Sequence, residues 1–276
     1  MKQATQNKIN KAIKLLQHYE KLALQLNPNG YFLAFSGGKD SQLLYLLAEL
    51  ANVKFKAYYS NTTNDPPMNV KFIRDNYKNV IFLNPKENFY KLVSKKGLPT
   101  RIMRYCCAIL KEQAGAGNVI LTGERRSESF KRKNYPFIAH QSTNAKRNKS
   151  YEEFADDIKH ECVKGKDRIR IRPLLDFTDE EVFEILKNYK VPLNPCYQYQ
   201  NRVGCIFCPF AKQKQIEAYC EKYPKAKKTL LKNLQIFLDK KDKNFFLTSE
   251  EYFEWWLSKK NIKDYKEIKK QLEIKF

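Results

Sequence analysis

The sequence predicts an α/β fold: a parallel twisted sheet with helices on both faces, followed by a helical C-terminal extension. Three observations point there. Short apolar runs alternate with helical patterns through the first half of the chain. The clearest run, Tyr31 to Phe35, is apolar throughout, as a strand buried on both faces must be. That run then passes through two glycines straight into a helical pattern, the rhythm of a sheet wrapped by helices.

The elements follow in order. The opening stretch to residue 27 reads as a polar amphipathic helix. After the first strand, Leu43, Leu44, Leu47 and Leu50 fall on one helical face. "VKFKAYYS" (53–60) reads as a second strand, Met68 to Tyr77 as a helix and "NVIFLNP" as a third strand. A helix near Phe89 to Lys95 and a fourth strand in "NVILTG" (118–123) complete the regular part. Ligands of such sheets bind at the C-terminal strand ends. The loop at Ser36 and the turns at 60–65 and 122–129 fall there and are expected to converge on one crevice.

Between Glu124 and Asp167 the rhythm fails. Residues 125–149 hold eight basic residues and one acid, interleaved with Tyr, Phe and His. The functional reading is a basic arm closing over a phosphate-rich substrate; the alternative is a solvated loop. "RIRIRPLL" (168–175) resumes an extended pattern, and "TDEEVFEILKNY" starts a helix with Thr178 as N-cap and acids in its first turn. The last seventy residues or so read as helical, aromatic and lysine-rich, with "EYFEWWL" as a packing face and a base-stacking role as the minority reading. The expected divisions are an N-terminal helix (1–27), a central domain (28–215) carrying the basic excursion (124–167), and a helical region (216–276).

Lys and Arg total 52 against 30 acids, a net charge of +22. Such an excess predicts attraction to polyanions, nucleic acid first. No signal peptide and no membrane-length apolar run is seen, which points to the cytoplasm. In that compartment seven cysteines suggest metal or redox chemistry rather than a disulfide framework.

Two features carry chemistry. "SGGKDS" places Ser36, Gly37, Gly38, Lys39, Asp40 and Ser41 between a strand and a helix N-terminus. Backbone N–H groups there converge on a phosphate. The spacing is not that of a Walker loop, and Asp40 follows Lys39 where Ser or Thr would stand. A carboxylate in that place suggests a magnesium ion or a helix cap. The second feature is a pair of cysteine pairs, Cys106-Cys107 and Cys205-x-x-Cys208. Adjacent cysteines rarely bond each other, but four thiolates suffice for an iron–sulfur cluster or a tetrahedral zinc.

"SGGKDS" in this setting resembles the PP-loop of the ATP pyrophosphatase superfamily. The tandem cysteines followed about a hundred residues later by Cys-x-x-Cys resemble the iron–sulfur branch of the phosphoadenosine phosphosulfate (PAPS) reductase family. "LTGERRSES" and the block from "IRPLL" to "GCIFCPF" are similar to that family as well, so the resemblance spans about positions 28 to 215. It implies a Rossmann-like PP-loop fold and a 4Fe–4S cluster on Cys106, Cys107, Cys205 and Cys208 beside the nucleotide pocket, with zinc second. It also implies Mg-ATP or a sulfonucleotide cradled by residues 36–41 and Gly123. Lys39 would neutralise charge on the transferred phosphate, Asp40 and Ser41 would orient the loop or the metal ion, and Arg125, Arg126 and Arg132 would clamp a phosphate.

Two departures shape the expected reaction. Sulfonucleotide reductases carry a nucleophilic cysteine in a Glu-Cys-Gly-x-His segment near their C-terminus, which this sequence lacks. Their Asp-Thr-Gly turn after the second strand is replaced by "SNTTND". The leading expectation is therefore cleavage of ATP at the α–β bond in support of sulfur transfer to nucleic acid. Relatives of this branch serve DNA phosphorothioation and more distant PP-loop enzymes thiolate tRNA, with a partner such as a cysteine desulfurase supplying sulfur. The alternatives are a sulfonucleotide enzyme borrowing a thiol from Cys196, Cys220 or a partner, and a non-catalytic nucleotide-sensing subunit that binds nucleic acid. Cys162 has no assigned role.

Overall fold

The computed structural model describes residues 2–112, 114–141, 167–240, 246, 248–265 and 267. These fall into two units, the first built from 1–60, 67–84 and 113–203, the second from 61–66, 85–112 and 204–276.

The first unit holds the sheet. Its strands are β1 (Tyr31–Phe35), β2 (Phe55–Ser60), β3 (Ile81–Leu83), β4 (Val119–Leu121), β5 (Ile138–Gln141) and β6 (Arg168–Ile171), in the order β3-β2-β1-β4-β6-β5. Helices α1 (Gln3–Leu26), α2 (Lys39–Leu50), α3 (Pro67–Asn76) and α6 (Asp179–Asn188) pack around it. β1 pairs in parallel with β2 and β4, and β4 with β6. Leu33, Leu43, Leu44, Leu47, Ile73, Val119, Leu121, Ile169 and Ile171 are fully buried, which is why the central strands read as continuous apolar runs. Strand order reverses beside β1, so the loop leaving β1 stands at a topological switch point, where α/β sheets bind ligands.

The expectation of a parallel sheet is met except at one edge. β5 lies inside the stretch expected to be an excursion and pairs antiparallel with β6, Ile138 opposite Ile171 and Gln141 opposite Arg168. An antiparallel edge needs no crossover helix, so no helical pattern announced it. Residues 142–166 of that stretch, including Cys162, lie outside the described residues.

Thr178 caps α6 as its sequence predicts: its hydroxyl accepts from Glu181 N at 3.3 Å and the Glu181 carboxylate accepts from Thr178 N at 2.8 Å.

The second unit is helical: α4 (Phe89–Lys96), α5 (Tyr105–Leu110), α7 (Gln213–Lys222), α8 (Pro224–Asp239) and α9 (Ser249–Ser258). Phe89, Val93, Phe207, Ile216, Leu230, Leu234, Phe253 and Trp256 form its core. The indole N–H of Trp256 donates to Pro99 O at 2.6 Å, so this aromatic packs and bonds within the fold. No helix among the described residues is long and apolar enough to cross a membrane.

Candidate nucleotide and thiol sites

In the first unit, the loop from β1 to α2 is shaped by Gly37, which adopts φ of +76°. A Cβ there would collide with Asn69 Oδ1 and the Ile73 side chain, so both backbone and space demand glycine. Ser41 Oγ accepts from Ser36 N at 3.1 Å and donates to Gly38 O at 2.8 Å, tying the loop to the first turn of α2. Asn69 Nδ2 donates to Ser36 O at 3.2 Å, and Asn194 Nδ2 donates to Gly37 O at 2.8 Å. Side-chain amides thus engage the carbonyls of Ser36 and Gly37.

The charged residues form a closed network. Lys39, only 7% exposed, places its ammonium 3.1 Å from Asp40 and 2.8 Å from Asp179. Arg125, 1% exposed, donates from Nε to Asp40 at 2.7 Å and from a terminal nitrogen to Asp179 at 2.6 Å. Its other terminal nitrogen reaches Ser127 Oγ and Phe177 O. Asp179 is held below the ordinary carboxylate range, first by the hydrogen bond from Lys39 and then by the charges of Lys39 and Arg125. Gly123 touches the same network: a Cβ there would stand 3.1 Å from the Asp40 backbone. Next to it, the buried Thr122 hydroxyl has no hydrogen-bond partner among the described residues.

Of the residues singled out in the sequence, this geometry gathers Ser36, Gly37, Gly38, Lys39, Asp40, Ser41, Gly123 and Arg125. Arg126 turns elsewhere: it pairs with Asp176, donates to Tyr135 O at 2.9 Å and stacks on Phe137. Arg132 pairs with Glu128. Glu124 binds Arg170 at 3.0 Å and Arg172 at 2.5 Å; burial alone would raise its carboxyl, but the two guanidinium groups more than offset this and hold it down. Sequence reasoning missed Asn69, Asp179, Asn194 and Tyr197. Only Asp179 carried a signal, as an acid in the first turn of α6; the others act across long sequence separations.

The thiols lie in the second unit. Cys106 and Cys107 lie in the first turn of α5 as free thiols that share a hydrogen bond; that bond raises Cys106 and lowers Cys107, which Lys111 and Arg104 pull down further. The Cys205–Cys208 loop is held by Asn64, whose backbone oxygen accepts from Ile206 N at 2.7 Å and whose side chain exchanges bonds with Phe207. Cys205 Sγ donates to Asp65 at 3.4 Å, accepts from Lys111 Nζ at 3.4 Å and meets Thr62 Oγ1 at 3.6 Å. Burial pushes the Cys205 thiol up to about 11, with Lys111 opposing. Here the replacement turn "SNTTND" finds a structural role: Thr62, Asn64 and Asp65 dock on the cysteine loop.

The donor chemistry of four thiols suits a soft metal or a cluster. Among the described residues no group of three or more His, Cys, Asp or Glu is placed to hold a metal. Cys196 is buried in the first unit, and Cys220 packs against the core of the second.

A mostly parallel sheet with a glycine loop feeding a lysine-headed helix at its switch point is the arrangement of a PP-loop domain. The chain belongs to the phosphoadenosine phosphosulfate reductase domain family, whose model matches residues 30–211. It is 26% identical over 226 residues to the uncharacterized protein MJ0973 of Methanocaldococcus jannaschii and 25% identical over 232 residues to MJ0066 of the same organism. These matches take in 78% and 76% of this chain but 49% and 44% of those proteins, so the chain spans about half the length of the curated relatives it matches. Among solved structures, FMN adenylyltransferase of Candida glabrata with FAD and pyrophosphate shares a TM-score of 0.49 and 16% identity, covering 71% of this chain and 61% of that one. PAPS reductase of Candida auris gives 0.45 and 16%, covering 74% and 96%. The U34-tRNA thiolase NcsA of Methanococcus maripaludis with its [4Fe-4S] cluster gives 0.42 and 14%, covering 83% and 78%.

Proposed function

We propose that the chain binds ATP at residues 36–41, cleaves it between the α- and β-phosphates and supports sulfur transfer to a nucleic acid. The observation that carries this reading is the network at the head of α2, where two buried cations and a row of N–H groups stand at the switch point of the sheet. An oxygen of the nucleic acid attacks the α-phosphorus, its bond to phosphorus forms and the bond to the bridging oxygen breaks. Pyrophosphate leaves with that electron pair. Lys39 and the N–H groups of the loop stabilise the charge that grows on the leaving phosphates, while Arg125 keeps Asp40 in place. A base adenylated at its carbonyl oxygen gives up the proton of the neighbouring ring N–H to solvent, and a phosphate oxygen has none to give. Sulfur arriving at the oxidation level of sulfide, from a donor such as a cysteine desulfurase and its reductant, then displaces AMP from the activated atom. No net redox change occurs in that second step.

Cys106, Cys107, Cys205 and Cys208 are the residues that would hold a 4Fe–4S cluster, or zinc in second place. Bound there, such a group would supply a site for sulfur or electrons. The net charge of +22 supports a polyanionic partner. The second reading, turnover of a sulfonucleotide, is favoured by the family match itself.

The test uses anaerobically reconstituted protein with labelled ATP and sulfide, alone and with duplex DNA or tRNA. AMP and pyrophosphate released in equal amounts, and stimulated by one nucleic acid, are expected. Absence of release in every arm, together with release of sulfite from PAPS, would replace this reading by the second.

A further inference from the structure

The first turn of α2 offers the N–H groups of Lys39, Asp40 and Ser41 with no helical acceptor; the first bond of the ladder is Gln42 N to Gly38 O at 2.9 Å. One of the three is already taken. The Tyr197 hydroxyl accepts from Lys39 N at 2.7 Å, although 158 residues separate them in the chain. Its ring is set for that contact: it packs edge-on to Phe183 at 5.7 Å, and the same Phe183 ring lies 5.6 Å from the Lys39 ammonium. The hydroxyl also closes over Gly38, where an added Cβ would stand 3.4 Å from it.

Asn194 and Tyr197 come from one short segment but engage the loop in opposite senses. Asn194 donates to a carbonyl, Gly37 O, and to Asn69 Oδ1 at 2.6 Å. An anion has no use for that carbonyl, so this contact is compatible with a bound phosphate. Tyr197 accepts from an N–H that a phosphate oxygen needs.

We infer that the Tyr197 hydroxyl stands in the seat of a phosphate oxygen at the head of α2 and must leave it when a nucleotide binds. The inference rests on the nucleotide reading of residues 36–41 and adds to it a residue that sets affinity by competition. Tyr197 lowers affinity for the phosphate chain of the ligand because binding breaks one good hydrogen bond before it makes another. It also keeps the helix N-terminus satisfied when no ligand is there.

The experiment is calorimetric titration of the full chain with ATP and with inorganic pyrophosphate, for wild type and Tyr197→Phe. The phenyl ring keeps the packing on Phe183, and a thermal melt checks that the variant folds. Tyr197→Phe is expected to bind both ligands about three- to tenfold more tightly, the range of one net hydrogen bond. Exchange of the Lys39 amide hydrogen is expected to speed up in the ligand-free variant and to slow again with pyrophosphate. Equal or weaker binding by Tyr197→Phe, with wild type binding normally, overturns this inference and leaves the nucleotide site standing. Binding by neither protein overturns both.

Discussion

The glycine loop of the first unit and the cysteine loop of the second are held in contrasting ways. At residues 36–41 the charged side chains are bound into one network: Lys39 and Arg125 share Asp40 and Asp179, two cations against two carboxylates. At residues 205–208 the grip is on the backbone, through Asn64, while Cys205 makes long contacts to Thr62, Asp65 and Lys111. A charge network fixes cations in place before an anion arrives, and an anion has to compete with the carboxylates for them. A loop held by its backbone leaves its sulfurs with weak partners that a metal can replace.

That contrast predicts separable failures. The largest is expected for Gly37→Ala. With φ at +76° and Asn69 and Ile73 in the way, the loop must rebuild, and ATP binding should fall below detection in a calorimeter. Uptake of iron and sulfide by the cysteines should be unchanged, read from absorbance after anaerobic reconstitution. Joint loss of both would show that the two loops are not independent.

Arg125→Ala is expected to cost less but to act on stability. Removing a buried guanidinium leaves Asp40 and Asp179 with Lys39 as their shared cation; breaking such a pair costs about 3–5 kcal/mol in a closed interior. Asp179 is 59% exposed and Asp40 23%, so water takes part of that loss and roughly 2 kcal/mol is expected in urea unfolding. Arg125→Lys should recover only part of it, since an ammonium cannot bond along the guanidinium fork. A variant as stable as wild type would show that the network is not what fixes the loop.

The smallest effect is on the acid limb of the stability curve. Glu124 is held below its ordinary value of 4.5 by Arg170 and Arg172 against its burial. Its contribution is therefore present above about pH 4.5 and is lost as pH falls through the depressed value. Glu124→Gln should flatten this part of the dependence of unfolding on pH and leave the region above pH 6 or so parallel to wild type. A curve of unchanged slope would remove Glu124 from the account.

Much of this fold is legible in the sequence. β1, the glycine turn and α2 follow from local physics, because strand apolarity, glycine freedom and helix periodicity all act within twenty residues or so. Thr178 and Glu181 were readable for the same reason, since a capping box spans four positions. What was not legible depends on partners far away in the chain. Nothing in "NPCYQYQ" announces that Asn194 and Tyr197 meet residues 37 and 39, and nothing in "SNTTND" announces that Asn64 meets Phe207. β5 failed for a different reason: four residues with a histidine and a glutamine carry too little apolar pattern to mark an edge strand. The resemblance implies a phosphate clamp for Arg125; its position at 1% exposure between two carboxylates comes from packing, which sequence does not display.

The bonds of Asn64 to Ile206 and Phe207 have a consequence for synthesis. The second unit is made of three separate stretches of chain, and its earliest piece, residues 61–66, binds one that is made some 140 residues later. During translation the first cysteine pair and the polar turn emerge long before the loop that completes their surroundings. Their half-buried thiols meet oxidants and stray metal ions in that interval. Neither unit can be cut out as a contiguous fragment, so a truncation before residue 204 leaves residues 61–66 and 85–112 with no core of their own to join.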